Sequence, residues 1–248
     1  MKKNLLSILE ILKEHEWIEL SHELTNESPY WQGMPKDVVN LNNTIIDYSD
    51  MNLRIQTFKF PGQFGTHIDY PAHFIENARL AGDFKIQDTI LPLIVIDLSE
   101  KVKENNDYEI SIDDIIEFEK NYGKIPDGAF VAFRSDWSKR WPNLKDLENN
   151  DENGVGHTPG WPISTLEFLF DNRNVAGVGH ETFDTDAHIT MLKHGDLIGE
   201  RYILKKDKFQ IEVLNNLDKL PPVGAIIFIT APRIVEANGL PVRAWAII

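Results

Sequence analysis

The chain has 248 residues, a net charge of −14 and no cysteine. The negative charge argues against nucleic acid and anionic membrane surfaces as partners. The missing cysteine excludes a disulfide framework, a thiolate metal site and a cysteine nucleophile. A hydrophobic share of 42% beside 26% charged residues is that of an ordinary soluble globular chain, long enough for one large domain.

Leu5, Leu6, Ile8, Leu9, Ile11 and Leu12 form a broad helical stripe that ends near Glu16. Glu10, Lys13, Glu14 and Glu16 fall within or beside it, so after the basic start it is not a signal-peptide core. No run reaches the roughly 18 apolar residues of a membrane span, and the expected location is cytoplasmic. Residues 17–22 read as a short strand, with His22 expected as a hydrogen-bonded structural residue. Residues 28–35 are a proline-punctuated loop with two adjacent aromatics, Tyr30 and Trp31, that suit either a pocket wall or the core.

Residues 53–60 alternate apolar and polar, which predicts a strand. Pro61 and Gly62 break it, and Gly65 permits a tight turn. If residues 66–69 are again extended, His67 and Asp69 point to one face. Pro71 biases Tyr70 away from helical geometry, and His73 falls on the loop or first turn beyond. Two imidazoles and a carboxylate within residues 67–73 suit zinc or manganese, with further ligands required from elsewhere.

Residues 75–84 form a short excursion. Residues 91–98 are an apolar run fit for a buried strand, 103–107 a polar loop, and Ser111 the N-cap of a helix with carboxylates in its first turn. A turn at Pro126, Asp127 and Gly128 leads into another buried strand to Arg134, a residue suited to a structural salt bridge. Residues 145–153 read as a surface loop, His157 sits among turn residues, and 164–170 form a helix. Residues 174–181 are a strand with a polar end, and Glu181, Asp184 and Asp186 crowd three carboxylates together as pocket lining. Residues 186–194 form a helix carrying His188. Residues 202–204 and 213–217 fit either strand or helix, 224–231 a strand, Asn238 and Gly239 a turn, and 240–247 a closing strand.

The run from Gly65 through Thr66, His67, Ile68, Asp69, Tyr70, Pro71 and Ala72 to His73 resembles the signature of the cyclase-like metal hydrolases, a family that includes bacterial kynurenine formamidases and isatin hydrolase. The family pattern H-x-G-T-H-x-D-x-P-x-H is matched except at its first position, where this chain has Gln63. The resemblance extends from about residue 17 to the C-terminus. It implies an α/β fold, a swivelling β/β/α domain with an N-terminal helix. The expected layout is a single domain over 1–248 with residues 1–16 as a helical appendage.

On the family pattern His67, Asp69, His188 and Glu200 hold the metal. The last two share the family spacing of twelve residues, which His194 does not. His73 is the general acid/base. A histidine at the position of Gln63 helps bind the metals of two-metal relatives, so Gln63 implies one zinc or manganese ion per chain, with the amide as a possible metal or substrate contact. Tyr30, Trp31 and Glu181 are expected in the substrate pocket. The implied activity is hydrolysis of a small amide, lactone or cyclic imide. A metal-dependent cyclase or isomerase, or a non-catalytic binding relative, is the alternative. A small-molecule substrate and a homodimer or larger homo-oligomer are the expected partners.

Overall fold

Residues 4–248 are described by the computed structural model; the basic start of the chain at 1–3 lies outside them. Asn4 caps the first helix, α1 (Leu5–Glu14), its side chain accepting from the Leu6 amide at 3.0 Å. The helix buries none of its residues, and Leu5 and Leu6 stay largely exposed. Its C-terminal end is tied down by the Trp17 indole, which donates to the Leu12 carbonyl.

In chain order there follow β1 (Trp17–Glu19), β2 (Asn40–Ile46), α2 (Tyr48–Met51), β3 (Ile55–Lys59), β4 (His67–Asp69), β5 (Ile90–Asp97), α3 (Ser99–Glu104), α4 (Ile112–Tyr122), β6 (Phe130–Arg134) and α5 (Leu144–Glu148). Then come α6 (Ile163–Asn172), β7 (Gly177–His180), α7 (His188–His194), α8 (Ile198–Lys205), β8 (Phe209–Glu212), β9 (Ala225–Thr230), β10 (Gly239–Pro241) and β11 (Arg243–Ile247). The result is a mixed α/β fold. Ser111 caps α4 as expected, in a reciprocal box with Asp114.

Nine strands form one sheet in the order β1-β11-β9-β5-β6-β7-β8-β4-β10. Strands β5, β6, β7 and β8 run parallel and the rest pair antiparallel. β10 closes one end of this order and β11 lies one strand from the other, yet Val242 alone separates them in sequence. A flat sheet with strands about 4.8 Å apart would put them tens of ångströms from each other, which one residue cannot span. The sheet therefore curls until its ends meet. Inside the curl, nearly every strand contributes to one apolar cluster that includes Ile68, Leu93, Phe130, Ile211, Ile227 and Ala244. The outer face carries Ile96, Val131, Phe133 and Val178, covered by Ile115, Leu166, Phe170 and Ile203 from α4, α6 and α8.

Several elements differ from the sequence expectation. The strand expected over 17–22 ends at Glu19, because Leu20 and Ser21 bond across to Ala244 and Val242 outside the ladder. The strand expected over 53–60 is real but pairs only with β2, in a separate two-stranded ribbon whose β3 residues are all exposed. The polar stretch 145–153 contains the end of α5, started by Asn143, which accepts from the Lys145 amide. Residues 202–204 belong to α8, and the strand that follows is β8, four residues held between left-handed Asp207 and Val213. The closing strand divides at Val242 to serve both ends of the sheet.

Candidate metal centre

The alternation of a strand places the site. Ile68 points into the curl, so His67 and Asp69 point outward. In the antiparallel register His67 faces Glu212 and Asp69 faces Gln210, which puts these four side chains on one surface. β7 adds His180, level with Phe133 of the outer cluster. The turn Pro71–His73 and the first turn of α8 bring His73 and Glu200 over this surface.

His67 is buried and oriented from behind, its Nδ1 2.8 Å from the Gly65 carbonyl. That bond makes Nδ1 the donor, so Nε2 presents its lone pair forward once it gives up its proton. Nε2 lies 3.3 Å from Asp69 Oδ2 and 3.3 Å from Glu212 Oε2 and makes no hydrogen bond. Donors about 2.0–2.1 Å from a tetrahedral ion are separated by about 3.3 Å. The triad His67, Asp69 and Glu212 therefore fits a divalent cation.

A second trio shares Asp69, with donor atoms again within 4.8 Å of one another: Asp69, His73 and Glu200. His73 Nε2 lies 3.9 Å from Asp69 Oδ1 and 3.8 Å from Glu200 Oε1, at the solvent side of the site. Gln63 donates from its amide to Asp69 Oδ1 at 3.0 Å and lies 3.5 Å from His73 Nδ1. It fits there because Gly239 of β10 has no Cβ, which would come within 2.1 Å of the Gln63 amide. Gln210 supports the opposite side. It donates to Glu212 at 3.0 Å and is itself held by the Thr185 hydroxyl. Both nitrogens of buried His180 lack a hydrogen-bond partner, and its Nε2 is 3.4 Å from Glu212.

The electrostatics follow from burying so many carboxylates together. Burial alone would lower the basicity of His67, but Asp69 and Glu212 overcome it and hold the imidazole well above its ordinary pKa. Burial likewise raises the Asp69 carboxyl, and the charges of His67 and His73 with the Gln63 hydrogen bond reverse this to about 2. Glu200 is pushed well up by burial and by Glu212, Asp69, Asp184 and Asp186. Asp184 is raised to about 7 by burial and by its carboxylate neighbours Glu212 and Asp186. Such a cluster discharges either by taking up protons or by taking up a cation.

Other residues singled out in the sequence join neither ligand trio. His188 opens α7 and packs on the loop at Gly156, its amide bonded to Thr158 Oγ1 at 3.3 Å; it joins neither trio. Burial and neighbouring His157 lower its pKa. A twelve-residue spacing to Glu200 that crosses a helix end, a left-handed Gly195 and a second helix start does not determine a shared direction. Glu181 is buried with its carboxylate occupied by the Ser135 amide and the Ser135 and Ser138 hydroxyls. Tyr30 meets Phe64 edge-on at 6.4 Å, while Trp31 is 69% exposed and folds over Gly33. Arg134 pairs with Asp97 and Asp136, and His157 with Asp107.

The sequence reading missed Glu212 and Gln210 altogether. Their signal was the alternation of Phe209, Gln210, Ile211 and Glu212, which identifies a strand without identifying its neighbour.

Residues 18–187 match the Cyclase family. The chain belongs to that family. Among Cyclase-family relatives, isatin hydrolase from Roseibium aggregatum is 31% identical over 188 residues, which cover 74% of this chain and 71% of the relative. Kynurenine formamidase from Bacillus thuringiensis subsp. konkukian is 31% identical over 88 residues, 36% of this chain and 41% of that protein. The crystal structure of an isatin hydrolase bound to the product analogue thioisatinate superposes with a TM-score of 0.86 at 27% identity, covering 99% of each chain. Among the described residues, no helix is long and apolar enough to cross a membrane.

Proposed function

We propose that this protein is a metal-dependent hydrolase that opens a small cyclic amide, with an aryl formamide as the second substrate class to try. The observation that carries the metal is His67 Nε2, buried, without a hydrogen bond and aimed between two carboxylates. His67, Asp69 and Glu212 would hold one zinc or manganese ion, Glu212 standing where the sequence reading had His188. Oxygen-rich ligation beside one imidazole suits manganese as well as zinc. A bound divalent ion supplies a Lewis acid that polarises a carbonyl and makes water a nucleophile near neutral pH.

The chain's own residues do the rest. His73, 26% exposed in its side chain and set between Asp69 and Glu200, takes a proton at Nε2 and returns it to the leaving nitrogen. Gln63 keeps Asp69 Oδ1 occupied and His73 oriented, which supports one ion rather than two. The kinship with isatin hydrolase supports an amide in a ring fused to an aromatic, and the exposed Trp31 and half-buried Tyr30 are aromatic surface for it. The exposed apolar residues of α1 and of β3, among them Leu5, Leu6 and Phe58, support a homo-oligomer, and a cytoplasmic enzyme is the proposed setting.

The test is metal content together with turnover of isatin and of an aryl formamide in ¹⁸O water. Wild type is expected to hold about one ion per chain and to place ¹⁸O in the product, the mark of hydrolysis rather than cyclisation. His67→Ala is expected to lose the ion. His73→Ala is expected to keep it while kcat drops by about 10²–10⁴. An ion retained in His67→Ala would overturn the ligand assignment.

A further inference from the structure

Val213 adopts φ +57°, the left-handed region that a β-branched residue occupies only under constraint. It directly follows Glu212, the last residue of β8. Two contacts hold it there. Its amide donates to the Thr182 carbonyl at 3.1 Å, and its carbonyl accepts from the Thr66 hydroxyl at 2.6 Å. Leu214 then donates to the His180 carbonyl, so the turn folds the end of β8 back across the exit of β7.

Thr66 is buried and precedes His67. Its hydroxyl bonds in both directions: it donates to Val213 and accepts from the His22 amide at 3.0 Å. Its carbonyl accepts from Val242, the single residue between β10 and β11. One side chain thus ties the strained turn after Glu212 to the backbone just before His67, at the seam where the curled sheet closes.

We infer that Thr66 is a positioning residue whose hydroxyl clamps Val213 in its left-handed conformation and thereby holds Glu212 opposite His67. The clamp stores a distortion that Val213 would otherwise relieve by returning to extended backbone, which would draw the Glu212 carboxylate off the His67 side. Glycine at 213 carries no such distortion, so a chain with glycine there keeps the turn without the clamp. The inference rests on Glu212 being a metal ligand, as proposed above.

The experiment is Mn²⁺ binding by calorimetry on the full chain, with the visible spectrum of the Co²⁺-loaded protein as a report on ligand geometry. Thr66→Val is expected to weaken Mn²⁺ binding by about 10- to 100-fold, the range for residues that orient ligands, and to change the Co²⁺ spectrum. Thr66→Ser, which keeps the hydroxyl, should restore both. Adding Val213→Gly to Thr66→Val should return most of the lost affinity, a rescue that a merely destabilised fold would not show.

Equal Mn²⁺ affinity in wild type and Thr66→Val overturns the clamp, as does a double variant no tighter than Thr66→Val. Should Thr66→Val not fold, Thr66→Ala in the Val213→Gly background serves, and a loss there as large as about tenfold overturns the clamp. A wild-type chain that takes up neither Mn²⁺ nor Zn²⁺ overturns the metal reading itself, which is a different result.

Discussion

His22 shows what one buried imidazole costs this protein in acid. It is stacked on Trp141 with ring centroids 4.4 Å apart, its Nε2 has no partner, and burial lowers its pKa to about 4. In the unfolded chain the same group titrates near 6.5. The folded value is the lower one, so the unfolded state binds more protons between the two. Stability is full above about pH 6.5 and is lost as pH falls through about 4, by on the order of 2–3 kcal/mol from this residue. Urea titrations from pH 7 to 4 should show that loss, and His22→Phe, which keeps a stacked ring, should remove its share of the slope. An unchanged slope would mean that His22 is solvated. The sequence pointed to a hydrogen-bonded structural residue at His22; the structure instead stacks its ring on Trp141, 119 positions later in the chain, and leaves Nε2 without a partner.

At the scale of elements, α8 delivers Glu200, and Asp186 decides where α8 begins. Its carboxylate accepts from the Gly199 amide at 2.8 Å and the Glu200 amide at 3.1 Å. Gly199 permits that approach, since a Cβ there would sit 3.1 Å from Asp186 Oδ2. Asp186→Ala should cost about 1 kcal/mol, the worth of a lost cap, and should also lower kcat because Glu200 loses its anchor. Glu200→Gln, by contrast, should leave the melting temperature of the metal-free protein unchanged or raised, since it removes one member of a crowded carboxylate cluster. Melting curves of both variants check this; a stable, fully active Asp186→Ala would show that the helix start needs no side-chain cap. The three carboxylates at 181, 184 and 186 were visible as a cluster in the sequence. Their separate fates were not: Glu181 is held by two serines, Asp186 starts a helix while still adding its charge to the site, and Asp184 is raised to about 7 by burial and by its carboxylate neighbours.

At the scale of the whole molecule, metal and protons compete for one set of groups. His67 holds its proton more tightly than usual in the metal-free protein, and a metal ligand must give its proton up. Binding should therefore release protons, and affinity should fall as pH falls. Calorimetry in buffers of different ionisation enthalpy measures that release; a heat independent of buffer would contradict it. The same binding should stabilise the fold by about 2.7 kcal/mol when free ion reaches about 100 times its Kd.

Local chemistry alone determined a good part of this protein. Period-two alternation sent His67 and Asp69 to one face, glycine and proline bounded their strand, and Ser111 started α4. Those are short-range properties, set by sterics and capping within a few residues. Tertiary structure decided the rest. Glu212 stands 145 positions after His67, and only strand pairing makes them neighbours. His188 and Glu200 have a suggestive spacing, yet two helix boundaries between them turn His188 toward Gly156. A curled sheet brings its first and last strands together, and which polar side chains then converge depends on register. No local propensity encodes that.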